Sequence, residues 1–217
     1  MSVVSVREDG PVSIIAINRP EKGNAISAAV ALELQAAFAA FDASEQRVAV
    51  LTATGDKAFS VGADVNDLPE LWRCIPTLGI TTMKPIIAAT SGWVVGGALV
   101  ATMMADLWIA SDTTKVSYPE AKLGFTGGII AGLAARIPHK VAMEIIMMCR
   151  TMEAERAYQV GLINKLVPAG RHIDEAVAWG KELAGFSPVV LKTIKRFVVD
   201  TVLNKGPSEL MALANRD

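Results

Sequence analysis

The 217 residues are 52% hydrophobic and carry a formal net charge of −1, with lysine and arginine scattered along the chain. That is enough apolar mass to bury one substantial core, and it offers no basic footprint for nucleic acid and no polybasic segment for a membrane. The two cysteines, Cys74 and Cys149, lack metal-ligand spacing and cannot make a disulfide framework, which points to a reducing cytoplasm.

In chain order, Arg7, Glu8 and Asp9 stand where a secretory signal would be apolar. Ser2 to Arg7 and Val12 to Asn18 read as two strands around the turn Glu8-Asp9-Gly10-Pro11. Arg19 to Ala25 is a loop rich in breakers. Ser27 then caps a helix to about Phe41 that places Val30, Leu34, Phe38 and Phe41 on one face. Val48 to Thr52 is apolar without a break, as a strand covered on both faces would be. Strand, helix, strand at this spacing predicts a right-handed parallel crossover and an α/β core. Thr54 to Lys57 leads into Ala58-Phe59-Ser60 and Gly62-Ala63-Asp64, and Asn66 to Thr82 is a weakly patterned connection.

Between Lys84 and Asp106 no charge occurs, a span long enough to cross a bilayer. Pro85, Ser91-Gly92 and Gly96-Gly97 interrupt any single helix there. The stretch reads as strand (Lys84–Thr90), turn, buried helix and then a strand over Leu107–Ala110. After a turn at Gly124-Phe125-Thr126-Gly127-Gly128, helices are predicted through Arg136, over Val141–Cys149 and over Glu153–Val160, the last closed by Gly161. A short strand within Leu162–Val167 and two amphipathic helices, Ile173–Ala184 and Pro188–Val202, complete one domain, whose residues 1–170 form the core with the site and 171–217 a helical tail.

The chemistry is expected between Lys84 and Glu120. Two glycines opening a helix free backbone N–H groups at its positive end, an anion site made of main chain. Glu120, behind Pro119, can stand opposite as a base. The other candidates read as structural. Asp64 and Asp106 suit turns or caps, His139 and His172 the surface, and Glu144 the wet side of a helix. Met103-Met104 and Met147-Met148 suit core filling. Cys74 has no histidine near it in sequence to activate it.

Taken together, Arg19-Pro20 with Asn24-Ala25, Ala58-Phe59-Ser60 with Gly62-Ala63-Asp64, Lys84-Pro85-Ile86-Ile87-Ala88-Ala89, Gly96-Gly97, Asp106, Pro119-Glu120 with Leu123-Gly124, and Ala157 with Gly161-Leu162-Ile163-Asn164 resemble the crotonase family of enoyl-CoA hydratases and isomerases. The likeness runs from about Val3 to Val202. It implies an α/β fold, a spiral of ββα units with C-terminal helices, usually assembled as a homotrimer or a dimer of trimers. It implies an acyl-CoA thioester as substrate and needs no metal, flavin or nicotinamide. By this resemblance the backbone N–H groups of Ala63 and Gly97 form the oxyanion hole, Glu120 is the acid/base, and Gly23, Ala25, Asp64, Val65 and Val100 line the substrate.

The sequence departs from the family where hydratases usually carry a second glutamate, three residues after the glycines; here that residue is Val100. A lone carboxylate suits a proton shuttle between carbons, as in 3-enoyl to 2-enoyl isomerases, so isomerisation is favoured slightly, with hydration close behind. A CoA-ester-binding subunit without catalysis is the reading of another class, and decarboxylation and thioester hydrolysis stay open within the family. Gly127-Gly128-Ile129-Ile130-Ala131-Gly132 replaces a more polar run and implies an apolar acyl pocket. The chain ends short of the family's final helix, which leaves acyl length and oligomeric state open.

Overall fold

A computed structural model describes residues 2–124 and 127–201. Its first half contains β1 (Val4–Asp9), β2 (Val12–Ile17), α1 (Ala28–Ala43), β3 (Val48–Ala53), β4 (Ala58–Ser60), β5 (Ile86–Thr90), β6 (Trp93–Val95) and α2 (Gly97–Met103). The second half contains β7 (Leu107–Ser111), β8 (Lys115–Ser117), α3 (Glu120–Leu123), α4 (His139–Met148), β9 (Met152–Glu153), α5 (Ala154–Gln159), β10 (Lys165–Val167), α6 (His172–Ala184) and α7 (Pro188–Thr201). Tight 3-10 turns occupy Pro20–Lys22, Leu71–Cys74 and Gly128–Ala135.

The strands form two sheets, one in the order β1-β2-β3-β5-β7-β10 and one in the order β4-β6-β8-β9. In the larger sheet only β1 is antiparallel to its neighbour. The expected crossover is present, since β2 and β3 are parallel with α1 between them in sequence. Ser27 caps that helix: its Oγ accepts from the Val30 amide at 3.3 Å, satisfying one of the orphan donors of the first turn. Val30, Leu34, Phe38 and Phe41 are all buried.

The unbroken apolar strands are explained by cover on both faces. Ile15, Ile17, Leu51, Ile86, Ala88 and Trp108 face the main core, under α1 and α2. Their alternates Val12, Ile14, Val48, Val50, Ile87 and Ile109 face a second core with Ala176 and Val177 of α6. Each valine, leucine or isoleucine among them contributes about 1.5–3 kcal/mol by leaving water. α6 lies close against the sheet because Gly180 has no side chain; a Cβ there would stand 2.9 Å from Val12 Cγ2. 

Several expectations need correction. The smaller sheet departs from the sequence reading throughout: β4, β6, β8 and β9 are all absent from it, being only two or three residues long. The helix expected before Arg136 is present as a 3-10 helix, Gly128–Ala135. Met147 and Met148 are exposed, 65% and 57%, because α4 turns them outward rather than into the core. The expected turn at 124–128 falls partly outside the described residues.

His172 is also not a surface residue. It is 4% exposed at the start of α6, and its Nδ1 has no hydrogen-bond partner among the described residues. Burial holds its pKa below the ordinary value of 6.5, against the pull of Asp56 and Asp174. The unfolded chain therefore takes up a proton before the folded one does, so stability present above pH 6.5 is lost as pH falls through the folded pKa. His172→Gln is expected to flatten that acid-side decline in a series of thermal melts between pH 7 and 5; an unchanged slope would show that the imidazole is not what titrates. His139, by contrast, is exposed as expected.

Candidate active site

Three adjacent strands of the small sheet, β4, β6 and β8, run parallel, with β6 in the middle. Their carboxyl ends consequently share one edge, the edge at which α/β sheets bind ligands. β4 ends at Ser60 and leads into Gly62-Ala63. β6 ends at Val95 and leads into Gly96-Gly97. β8 ends at Ser117 and leads into Pro119-Glu120. The three segments singled out from the sequence meet for this reason.

The contacts among them are tight. Gly62 has φ +94°, and a Cβ on it would lie 3.0 Å from the Val95 carbonyl oxygen and 3.9 Å from Gly96 Cα. The Gly96 amide donates to the Ser117 carbonyl at 3.0 Å, joining the ends of β6 and β8. Gly96 has φ +58°, and its missing Cβ leaves room for Glu120 Oε1, which would be only 2.6 Å away. On Gly97 a Cβ would lie 2.5 Å from Leu71 Cδ2. As the first residue of α2, Gly97 has an amide with no acceptor inside the helix. Ala63 bridges to Ile26 through its neighbours: Ile26 donates to Gly62 at 2.8 Å and Asp64 donates to Ile26 at 2.9 Å. Neither the Ala63 amide nor the Gly97 amide donates a hydrogen bond among the described residues.

Glu120 opens the one-turn helix α3, with Pro119 at its cap. It is buried, and Oε2 has no hydrogen-bond partner among the described residues. Withdrawal from water raises its pKa to about 7, opposed by a hydrogen bond from its own main chain. A carboxyl poised near neutrality can both take and return a proton. Val100, one helical turn beyond Gly97, is buried and belongs to the main core, so α2 offers no second carboxylate there. Glu144 does not substitute for it, being exposed and paired with Arg150 at 2.8 Å. Cys74 is buried, and its thiol is pushed up to about 12, so it is no nucleophile at neutral pH.

The remaining sequence candidates line the approach to this edge. The Arg19–Ala25 loop lies along Val61–Asp64: the Val61 amide donates to Gly23 at 3.1 Å, and Arg19 Nη1 reaches both the Ala25 carbonyl, at 2.8 Å, and Asp64 Oδ2, at 3.1 Å. Gly23, φ +59°, makes that approach possible, since a Cβ would stand 2.9 Å from Val61 Cγ1. Asp64 is a turn residue as expected: the Asn66 amide first, then Arg19, hold its carboxyl below the ordinary value. Val65 is 73% exposed beside it. Asp106 is likewise a cap, accepting from the Ile86 amide at 2.7 Å. Leu71 is the residue that sequence reasoning missed. It sits in a weakly patterned connection, and only the three-dimensional contact with Gly97 distinguishes it.

Comparison with known proteins agrees with this geometry. A family model described as enoyl-CoA hydratase/isomerase matches residues 7–215. A Rhizobium meliloti protein named "Probable enoyl-CoA hydratase" is 35% identical over 199 residues, 84% of this chain and 75% of its own. Among solved structures, an enoyl-CoA hydratase from Mycobacterium tuberculosis superimposes with a TM-score of 0.86 at 30% identity, over 99% of this chain and 87% of that one. A carnitinyl-CoA hydratase from Mycobacterium avium gives 0.89 at 26% identity, over 99% and 89%. With its mixed α/β sheets and C-terminal helices, the chain belongs to the enoyl-CoA hydratase/isomerase family and is an enzyme of the crotonase type.

Proposed function

We propose that the protein adds water across the double bond of a 2-enoyl-CoA, with Glu120 as the single acid/base and the Ala63 and Gly97 amides as the oxyanion hole. The observation that carries the reading is one buried carboxyl whose Oε2 has no partner among the described residues, abutting Gly96 beside a helix-opening amide with no acceptor among them. The Glu120 carboxylate takes a proton from water as the water oxygen bonds to the β-carbon. The electron pair of the double bond moves to the thioester oxygen, where the two amides stabilise it; a donor in that position typically contributes about 2.7–4 kcal/mol. The carboxyl then returns its proton to the α-carbon, and a 3-hydroxyacyl-CoA results. The sequence Gly23, Ala25, Asp64 and Val65 would flank the CoA moiety, and Val100 the acyl group. The names of the relatives support hydration over the isomerisation that the sequence favoured.

Isomerisation stays as the second reading because Val100 stands where a second, water-holding carboxylate is usual. The same Glu120 would then take a proton from the α-carbon of a 3-enoyl-CoA and return it to the γ-carbon. Incubation of 2-enoyl-CoA and 3-enoyl-CoA in deuterated, 18O-labelled water separates the two. Hydration places 18O on the β-carbon and deuterium on the α-carbon; isomerisation incorporates no 18O. Binding of both thioesters without turnover of either would defeat both readings and leave a binding subunit.

A further inference from the structure

The two glycines at the site are covered by unlike groups. Gly96 carries the Glu120 carboxylate against its Cα, and Gly97 carries the end of Leu71: a Cβ there would lie 2.5 Å from Cδ2, 2.9 Å from Cδ1 and 3.2 Å from Cγ. Leu71 is half-buried and packs against the main core while its end lies on Gly97. On the acyl-CoA reading, a carbonyl held by the Gly97 amide lies within a few side-chain bond lengths of Leu71, which makes that side chain a neighbour of the acyl group.

The backbone bearing Leu71 is firmly anchored. Arg73 Nη1 donates to Gln35 Oε1 at 3.0 Å, and Gln35 Nε2 donates to the Gly79 carbonyl at 3.2 Å, which ties the turn to α1. The main chain of Gly79 lies directly on that of Arg73, where a Cβ would come within 2.3 Å of the Arg73 carbonyl oxygen. Cys74 and Ile75 bury the turn's other end, and the Cys74 thiol donates to the Leu71 carbonyl at 3.2 Å. Leu71 can change rotamer, but the turn cannot easily carry it away.

We infer that Leu71 is a specificity-determining residue, narrowing the cleft beside the Gly97 amide so that short, unbranched acyl groups are preferred. The inference rests on the acyl-CoA reading of the site but not on which reaction follows. In a packed apolar pocket each added or missing methylene shifts selectivity by about 10–200-fold.

The test compares wild type, Leu71→Ala and the volume-conserving Leu71→Met on crotonyl-, octenoyl- and 2-methylcrotonyl-CoA. Calorimetric binding of the matching saturated thioesters provides a readout that needs no turnover. Leu71→Ala is expected to raise the octenoyl-to-crotonyl ratio of kcat/KM at least about 10-fold and to shift the binding ratio in the same direction, while Leu71→Met, which keeps the volume, shifts both ratios less than Leu71→Ala does. Ratios unchanged in a Leu71→Ala protein that still binds would overturn the role of Leu71. A wild type that binds the thioesters but turns over none defeats the catalytic reading alone, because the binding ratios still decide the inference. A wild type that binds none removes both.

Discussion

Glu120→Gln is expected to bind acyl-CoA thioesters as wild type does and to turn them over about 10²–10⁴-fold more slowly, the contribution usual for a positioned acid/base. The amide keeps the shape of the carboxyl and loses its basicity. In the wild type, kcat/KM should rise with pH and level off above about 7, because the proton acceptor must be ionised and burial has raised its pKa to that value. The same substitution has a second consequence, in stability. Between its ordinary value of 4.5 and about 7, Glu120 keeps its proton in the folded protein and loses it in the unfolded one. Wild-type stability therefore declines as pH rises through that window. Glutamine does not titrate. At pH 8 the variant should be more stable by about 1–2 kcal/mol, after allowance for water at the cleft mouth, with the difference gone below pH 4.5. Thermal melts across pH read this directly. Equal melts at every pH would mean that the carboxyl is not desolvated, and undiminished turnover would remove Glu120 from the chemistry.

Gly96→Ala should be nearly as damaging to activity, by a different route. The residue sits at φ +58°, ψ −120°, a conformation that costs a side-chain-bearing residue on the order of 1–3 kcal/mol. Its new methyl would also stand 2.6 Å from Glu120 Oε1. The carboxylate must turn away, carrying the base from the reacting carbon, and a misplacement of about 1 Å can cost roughly 10²-fold in rate. Gly161→Ala supplies the control. That glycine has φ +81°, and a Cβ there would meet nothing within 4 Å among the described residues, so it bears the backbone cost without a clash. If both variants lose stability but only Gly96→Ala loses kcat, the contact with Glu120 is responsible. If Gly96→Ala keeps wild-type kcat, the proximity has no catalytic meaning.

The parts legible in the sequence were those whose burial is set locally. Ser27 before an apolar stripe announces α1 because the cap and the periodicity are both short-range signals. Val48 to Thr52 announces a central strand because two buried faces leave no polar alternate. The small sheet was not legible. Strands such as Trp93–Val95 and Lys115–Ser117 are too short to show a period, and each includes residues left partly or largely exposed. What holds them is pairing with partners about twenty residues away. The order of the motifs marks the site, but the sheet that makes them meet is a three-dimensional fact with no local signature. His172 failed for a related reason: its burial depends on how α6 docks, which no neighbour in sequence reports. Leu71 left no signal at all, since an isolated leucine in an irregular connection looks like any other.

The parallel run of β4, β6 and β8 also has a bearing on tolerance to change. Groups that leave adjacent strands are held apart by the ladder spacing, about 4.8 Å per step, a length no side chain can alter. Insertions or replacements in the connection 66–82, whose Leu71 lies on Gly97, thus remodel the wall of the site while the distance between the strand ends that carry the acceptor and the amides stays fixed. The framework behaves as a jig: exchangeable walls around an unmoving ruler.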